Sequence, residues 1–112
     1  MVEIRSYHYE PEKFAAYKEW AVELAVPFLK ANLDIVGFWM DNGTPPEIGG
    51  SSPTDMPMGS ANITWVIGWD SFEDRNAGHR RVFQSEGWQA IWAAHPDANG
   101  YLQMEARFAD PV

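Results

Sequence analysis

The sequence predicts an α+β fold in the order β-α-β-β-α-β, a four-stranded antiparallel sheet with its helices on one face. Three observations predict it. Residues 2–9 and 101–108 alternate with the period of two that a strand imposes, so both ends of the chain read as strands. Residues 11–31 and the stretch after Asp70 carry apolar side chains three and four apart, the spacing of a helix stripe. Residues 34–41 and 62–69 are dense in β-formers and are separated by a Pro/Gly-rich segment.

Taken in order, the first strand places Val2, Ile4, Ser6 and His8 on one face and Glu3, Arg5, Tyr7 and Tyr9 on the other. Pro11 suits the first turn of the helix that follows, whose stripe is Phe14, Tyr17, Ala21, Leu24 and Phe28. Pro27 removes a backbone donor and crowds the preceding turn, so this helix is expected to kink or end near Val26. The second strand sets Ile35, Gly37, Trp39 and Asp41 against Val36, Phe38 and Met40, with Gly37 permitting a close approach. From Gly43 to Ala61 lie four of the 8 Pro and four of the 9 Gly, a loop long enough to serve as a lid or an arm or to be disordered. The third strand aligns Ile63, Trp65, Ile67 and Trp69.

Asp70-Ser71-Phe72-Glu73 then reads as a capping box in which Asp70 caps and Glu73 reaches back. The apolar pattern of the helix it opens is disturbed around Gly78, and Phe83-Gln84-Ser85-Glu86-Gly87 predicts a break, giving pieces at about 71–83 and 86–95, the second carrying Trp88, Ile91 and Trp92. The last strand sets Leu102, Met104, Ala106 and Phe108 opposite Tyr101, Gln103, Glu105 and Arg107. This is the ferredoxin-like arrangement. Its second sheet face has no helices to cover it, which predicts a symmetric homodimer whose two sheets close into a barrel.

Charge and composition exclude several functions. The chain has 112 residues and a net charge of −8, with 16 acidic against 8 basic side chains, so nucleic acid and anionic membranes are not expected partners. The absence of Cys rules out disulfides, thiolate catalysis and Cys-held zinc or iron–sulfur centres. No apolar run approaches the roughly 18 residues of a membrane span and the N-terminus lacks a signal-peptide pattern, so a cytoplasmic location is expected. Aromatic residues make up 14%, more flat apolar surface than a small domain hides easily, which favours an oligomer or a roomy pocket.

Glu3-x-Arg5-x-Tyr7 followed by Pro11-x-Lys13, then Val36-Gly37-Phe38-Trp39, Trp69-Asp70-Ser71-Phe72-Glu73-Asp74-Arg75 and Trp88-Gln89-Ala90 together resemble the NIPSNAP family. The likeness spans nearly the whole chain, read as a single domain over 1–112. It implies membership of the dimeric α+β barrel group, which also holds cofactor-independent monooxygenases, haem-degrading monooxygenases, muconolactone isomerases and stress-response barrels. The chain departs from the family in two places. Residues 43–61 replace a turn that is often short, and Trp65 and Ile67 stand where the family tends to place His and Trp. In haem-degrading relatives a His of the second helix ligates iron. Here Trp92 is near that place with His95 three residues on, so no cofactor is expected, although haem remains open.

The resemblance and the residues imply a homodimer that binds a small apolar or aromatic molecule and acts on it by oxygenation, isomerisation or cyclisation without a cofactor. The alternative is a non-catalytic binding or stress-response barrel, which predicts a filled core. Arg5 and Tyr7 are expected to orient an anionic or polar group and to stabilise oxyanion charge, with Glu105 as a base or as the Arg5 partner from a polar row of Gln103, Glu105 and Arg107. The same residues also suit a cross-strand ion-pair network at a dimer interface. His79 is the candidate for proton transfer, against a surface His beside Arg80 and Arg81; His8 reads as a strand tip and His95 as a helix end. Trp20, Trp39, Trp65, Trp69, Trp88 and Trp92 suit either the lining of an aromatic-ligand cavity between sheet and helices or the core, with core packing accounting for most of the set and Trp39 and Trp65 the expected substrate-binding residues. Asp70, Ser71, Glu73 and Asp74 are assigned to capping, and no metal site is expected.

Overall fold

The strands that alternate most regularly lie side by side. In the computed structural model, which describes residues 1–54 and 59–112, β1 (Val2–Tyr9) pairs antiparallel with both β3 (Ile63–Gly68) and β4 (Tyr101–Ala109). β2 (Ile35–Met40) pairs with β3 at the far side, giving the strand order β2-β3-β1-β4. All described helices follow the β1–β2 and β3–β4 crossovers, so the architecture is the ferredoxin-like one expected.

Register decides which face each side chain takes, because residues directly opposite one another share a face. Arg5 opposes Trp65 and Ala106, and Tyr7 opposes Ile63 and Met104. Buried Ile63, Trp65 and Ile67 form the core under the helices, so the Glu3, Arg5 and Tyr7 row faces inward with them. A shift in the β1–β4 ladder between His8 and Tyr9 brings Tyr101 opposite Tyr9 and onto that inner face as well. The row Gln103, Glu105 and Arg107 lies opposite His8, Ser6 and Ile4 and therefore on the other face. The expected placement of Glu105 beside Arg5 is corrected by this register.

The first crossover is helical throughout but not uniform. A 3-10 turn at Pro11–Lys13 leads into α1 (Phe14–Trp20), a π segment at Ala21–Ala25, and α2 (Val26–Asn32). Pro27 is thus accommodated without ending the helix. The wider π turn just before it relieves the clash between the Pro ring and the preceding carbonyls, and Pro27 then sits in the first turn of α2, where no donor is missed. Fully buried Ala21 and Ala25 line the inner side of this segment.

The second crossover comprises α3 (Phe72–Phe83) and α4 (Glu86–Ala93). α3 runs unbroken through Gly78. The Trp69 ring occupies the space a side chain would fill, since a Cβ on Gly78 would come within 2.6 Å of Trp69 Cζ3. The cap of α3 is Ser71, one residue later than expected, with its hydroxyl accepting from the Asp74 amide at 3.1 Å. Ser85 caps α4 in the same way through the Trp88 amide. The described residues of the 43–61 loop form neither helix nor strand; residues 55–58 lie outside the described residues. No described helix is long and apolar enough to cross a membrane.

Candidate functional site

An alternating strand that turns Glu3 and Arg5 toward the core must satisfy two charges out of water. Glu3 has no exposed surface, and four donors converge on its carboxylate: Arg5 Nη1 at 2.7 Å, Arg75 Nε at 3.0 Å, Arg75 Nη2 at 3.1 Å and Trp69 Nε1 at 3.1 Å. Burial pushes the Glu3 carboxyl up, but the Arg75 hydrogen bond, the Arg5 and Arg75 charges and the Trp69 bond outweigh it, so its pKa lies below the usual carboxylate value. One carboxylate thereby fixes Arg5 from the strand and Arg75 from the helix.

Arg5 in turn donates through Nε to the Tyr7 hydroxyl oxygen at 2.6 Å. Its guanidinium also lies over the Tyr7 and Trp65 rings, 5.6 and 5.4 Å from their centroids. Burial raises the Tyr7 pKa more than the charge and hydrogen bond of Arg5 lower it, so the phenol stays protonated. With its oxygen already accepting from Arg5, the Tyr7 O–H is free to donate. Trp65 is 4% exposed, and its Nε1 has no hydrogen-bond partner among the described residues.

These residues form the polar corner of a cavity of about 540 Å³ between the sheet and the helices. Phe38 stacks on Trp65 with centroids 5.5 Å apart and extends the sheet-side floor. Trp20, Trp88 and Trp92 make the opposite wall, each pair in edge or tilted contact at 6.1–6.2 Å. Trp20 Nε1 donates to the Ile91 carbonyl at 2.9 Å, which pins α1 to α4 and holds that wall. Ala25 and Leu29 from the π segment and α2 complete it. Half-exposed Met104 on the edge strand β4 marks the side where helices no longer cover the sheet.

His79 enters the same cavity from α3, with its ring 4.5 Å from Phe83. Burial lowers its pKa, and the Arg75 and Arg5 charges lower it further against the opposing pull of Glu3, so the imidazole is neutral near pH 7. His95 has a different role. It lies among Trp20, Trp92 and Tyr101, with its Nδ1 accepting from the Asp97 amide at 3.0 Å and its Nε2 2.8 Å from the Tyr101 hydroxyl. Burial lowers its pKa while Asp97 opposes the shift. Both nitrogens are engaged, so ligation of iron through either one would cost His95 the hydrogen bond that nitrogen makes. Among the described residues, no group of three His, Asp or Glu is arranged to hold a metal.

Arg5, Tyr7, Trp65 and His79 thus meet in one cavity, whereas Glu105 and Trp39 do not. Glu105 is exposed on the outer face, 3.8 Å from Arg107, and Glu3 takes its place as the Arg5 partner. Trp39 opposes Thr64 and lies on the outer face, 54% exposed, folded over Gly37, where a Cβ would meet its ring at 2.3 Å. The close approach expected at Gly37 comes from this ring, and Phe38 takes the pocket position. None of the described residues of the 43–61 loop lines the cavity. The sequence reading missed the Trp69–Glu3–Arg75 junction because its members are 66 and 72 residues apart and share no local pattern. For Trp20, Trp88 and Trp92 the sequence leaves cavity wall and core as alternatives, because helix spacing does not distinguish the two, and the structure places all three at the cavity.

An open antiparallel sheet with helices on one face and an aromatic cavity between the layers defines a ferredoxin-like α+β protein. The chain belongs to the NIPSNAP family, whose profile matches residues 2–112. A NIPSNAP family protein from Agrobacterium tumefaciens superposes with a TM-score of 0.74 at 18% identity, covering 99% of this chain and 84% of the other. An uncharacterized NIPSNAP domain protein from Burkholderia xenovorans gives 0.72 at 16% identity, covering 99% and 93%. A further A. tumefaciens NIPSNAP family protein, of unknown function, gives 0.72 at 20% identity, covering 98% and 86%. These likenesses concern the fold. No curated protein gives a significant match.

Proposed function

We propose that the protein binds an apolar or aromatic small molecule in the helix–sheet cavity and acts on it by proton transfer without a cofactor. The observation that carries this reading is the cavity of about 540 Å³, apolar on nearly all sides, with Arg5, Tyr7, Trp65 and His79 gathered at it. A non-catalytic barrel predicts a filled core, so the cavity favours the small-molecule reading.

The chemistry follows from the groups at hand. Neutral His79 accepts a proton from a carbon next to a carbonyl, and the electron pair moves onto the carbonyl oxygen. Arg5 and the Tyr7 O–H stabilise the oxyanion that develops. Return of the proton to another carbon completes an isomerisation, and the same carbanion is the starting point for cyclisation or reaction with oxygen. Phe38, Trp65, Trp88 and Trp92 orient the skeleton.

Native mass spectrometry of freshly purified protein, followed by thermal shift with aromatic metabolites and haem, tests the reading. A retained or stabilising small molecule is expected. With that molecule as substrate, His79→Ala is expected to lower turnover by about 10²–10⁴-fold while binding persists. No ligand across a chemically broad panel overturns the proposal; binding without conversion returns the non-catalytic alternative.

A further inference from the structure

Resting on the cavity reading above, we propose that the ligand carries a singly charged oxygen, a carboxylate or an ionised enol or phenol, on a flat apolar skeleton, and that this oxygen accepts from Tyr7 beside Arg5. The negative charge is then present on the bound molecule and not only at the transition state.

The first argument is a charge count. Glu3 is shared by two guanidiniums, Arg5 and Arg75, which among the described residues leaves one positive charge uncompensated at the junction. The side chains of Arg5 and Arg75 are only 15% and 20% exposed, so water screens this charge poorly. Among the described residues, no carboxylate lines the cavity and Arg5 is the one permanently charged lining group. The excess is local, because the whole chain has a net charge of −8. Glu105, the acidic residue nearest Arg5 in strand pairing that might have balanced it by sequence, points to the outer face.

The second argument is a count of hydrogen-bonding groups. Around the guanidinium, the donors are those of Arg5, Tyr7 and Trp65, while the side-chain acceptors at the cavity are the Tyr7 oxygen, already used by Arg5, and one nitrogen of neutral His79. Trp65 Nε1 is buried without an acceptor, although buried N–H groups are nearly always paired. A corner rich in donors and short of acceptors fits an oxyanion. An oxyanion that accepts from Tyr7 also polarises the phenol oxygen toward Arg5 and the indole N–H. The stacked Phe38 and Trp65 rings and the Trp88–Trp92 wall suit a planar skeleton.

The test is calorimetry on the full chain with matched pairs: benzoate, cinnamate and 2-naphthoate against their carboxamides, and 2-naphthol near its ionisation against its methyl ether. At least one anion is expected to bind about tenfold or more tightly than its neutral partner, the carboxylate and naphthol arms showing which oxyanion is preferred. Tyr7→Phe, which keeps the ring, and Arg5→Gln are each expected to shrink that ratio, so the test survives if Arg5→Gln fails to fold. In the wild type the Trp65 indole N–H resonance, assigned with Trp65→Phe, is expected to move downfield with the anion. Equal affinity within every pair overturns the inference and leaves the cavity reading standing. Failure of every compound to bind overturns both.

Discussion

Glu3 shows how a single buried side chain organises the site. Its carboxylate is unexposed and joins β1 to α3 through Arg75 and Trp69, so the position of Arg5 in the cavity depends on the second crossover. The titration of such groups makes stability depend on pH. His79 and His95 both have pKa values lowered from 6.5, chiefly by burial, so the folded state binds fewer protons than the unfolded one as the pH falls past that value. Their stability contribution is complete above about pH 6.5 and is lost as pH falls through the folded values. Glu3, lowered from 4.5, contributes in the same direction at lower pH, its share being present above 4.5 and lost below. The melting temperature is therefore expected to decline on acidification in two stages. His95→Gln is expected to reduce the first stage, and a flat melting temperature between about pH 7.5 and 5.5 would contradict this account.

At the scale of elements, two glycines make opposite predictions from similar crowding. Gly78 in α3 is buried against Trp69, whose indole is held by its bond to Glu3 and cannot swing away. Gly78→Ala is expected to destabilise despite the better helix propensity of Ala, because overpacking costs about 1–3 kcal/mol and propensity returns at most about 1. Gly37 in β2 lies under Trp39, whose ring is half-exposed on the outer face and, in the single chain, can rotate into solvent. Gly37→Ala is expected to stay within about 0.5 kcal/mol of the parent. Urea denaturation of the two variants separates them, and equal losses would show that the Trp69 ring is not fixed by Glu3. The π segment before Pro27 is a second adaptation at this scale, since it lets one helix run past a proline while setting Ala25 against the cavity.

At the scale of the whole molecule, the described helices cover one face of the sheet and leave the other without a helix, with Trp39 exposed on it. Homodimerisation through this face is the proposed outcome, since it removes Trp39 from water and leaves the Glu105 and Arg107 charges of the outer row within reach of a partner. Light scattering at micromolar concentration is expected to give twice the 12.7 kDa chain mass, and Trp39→Asp to shift it toward the monomer. A monomer mass for the parent chain would refute the dimer. The cavity is built within one chain, so its test and the dimer test are independent.

The order of elements was legible in the sequence because each depends on a local period: Val2 to Tyr9 and Tyr101 to Phe108 at two, Phe14 to Phe28 at three and four. Arg5, Tyr7, Trp65 and His79 were legible as candidates because their chemistry belongs to the residue itself. Which face they share was decided by tertiary structure. A one-residue shift where β4 meets β1 sends Glu105 outward and Tyr101 inward, and no local pattern specifies it. The partners of Glu3 were likewise invisible, since a buried carboxylate is satisfied by whatever donors the packed layers bring to it. Periodicity acts between neighbours in sequence and fixes elements; pairing register and charge satisfaction act between distant segments and fix the site.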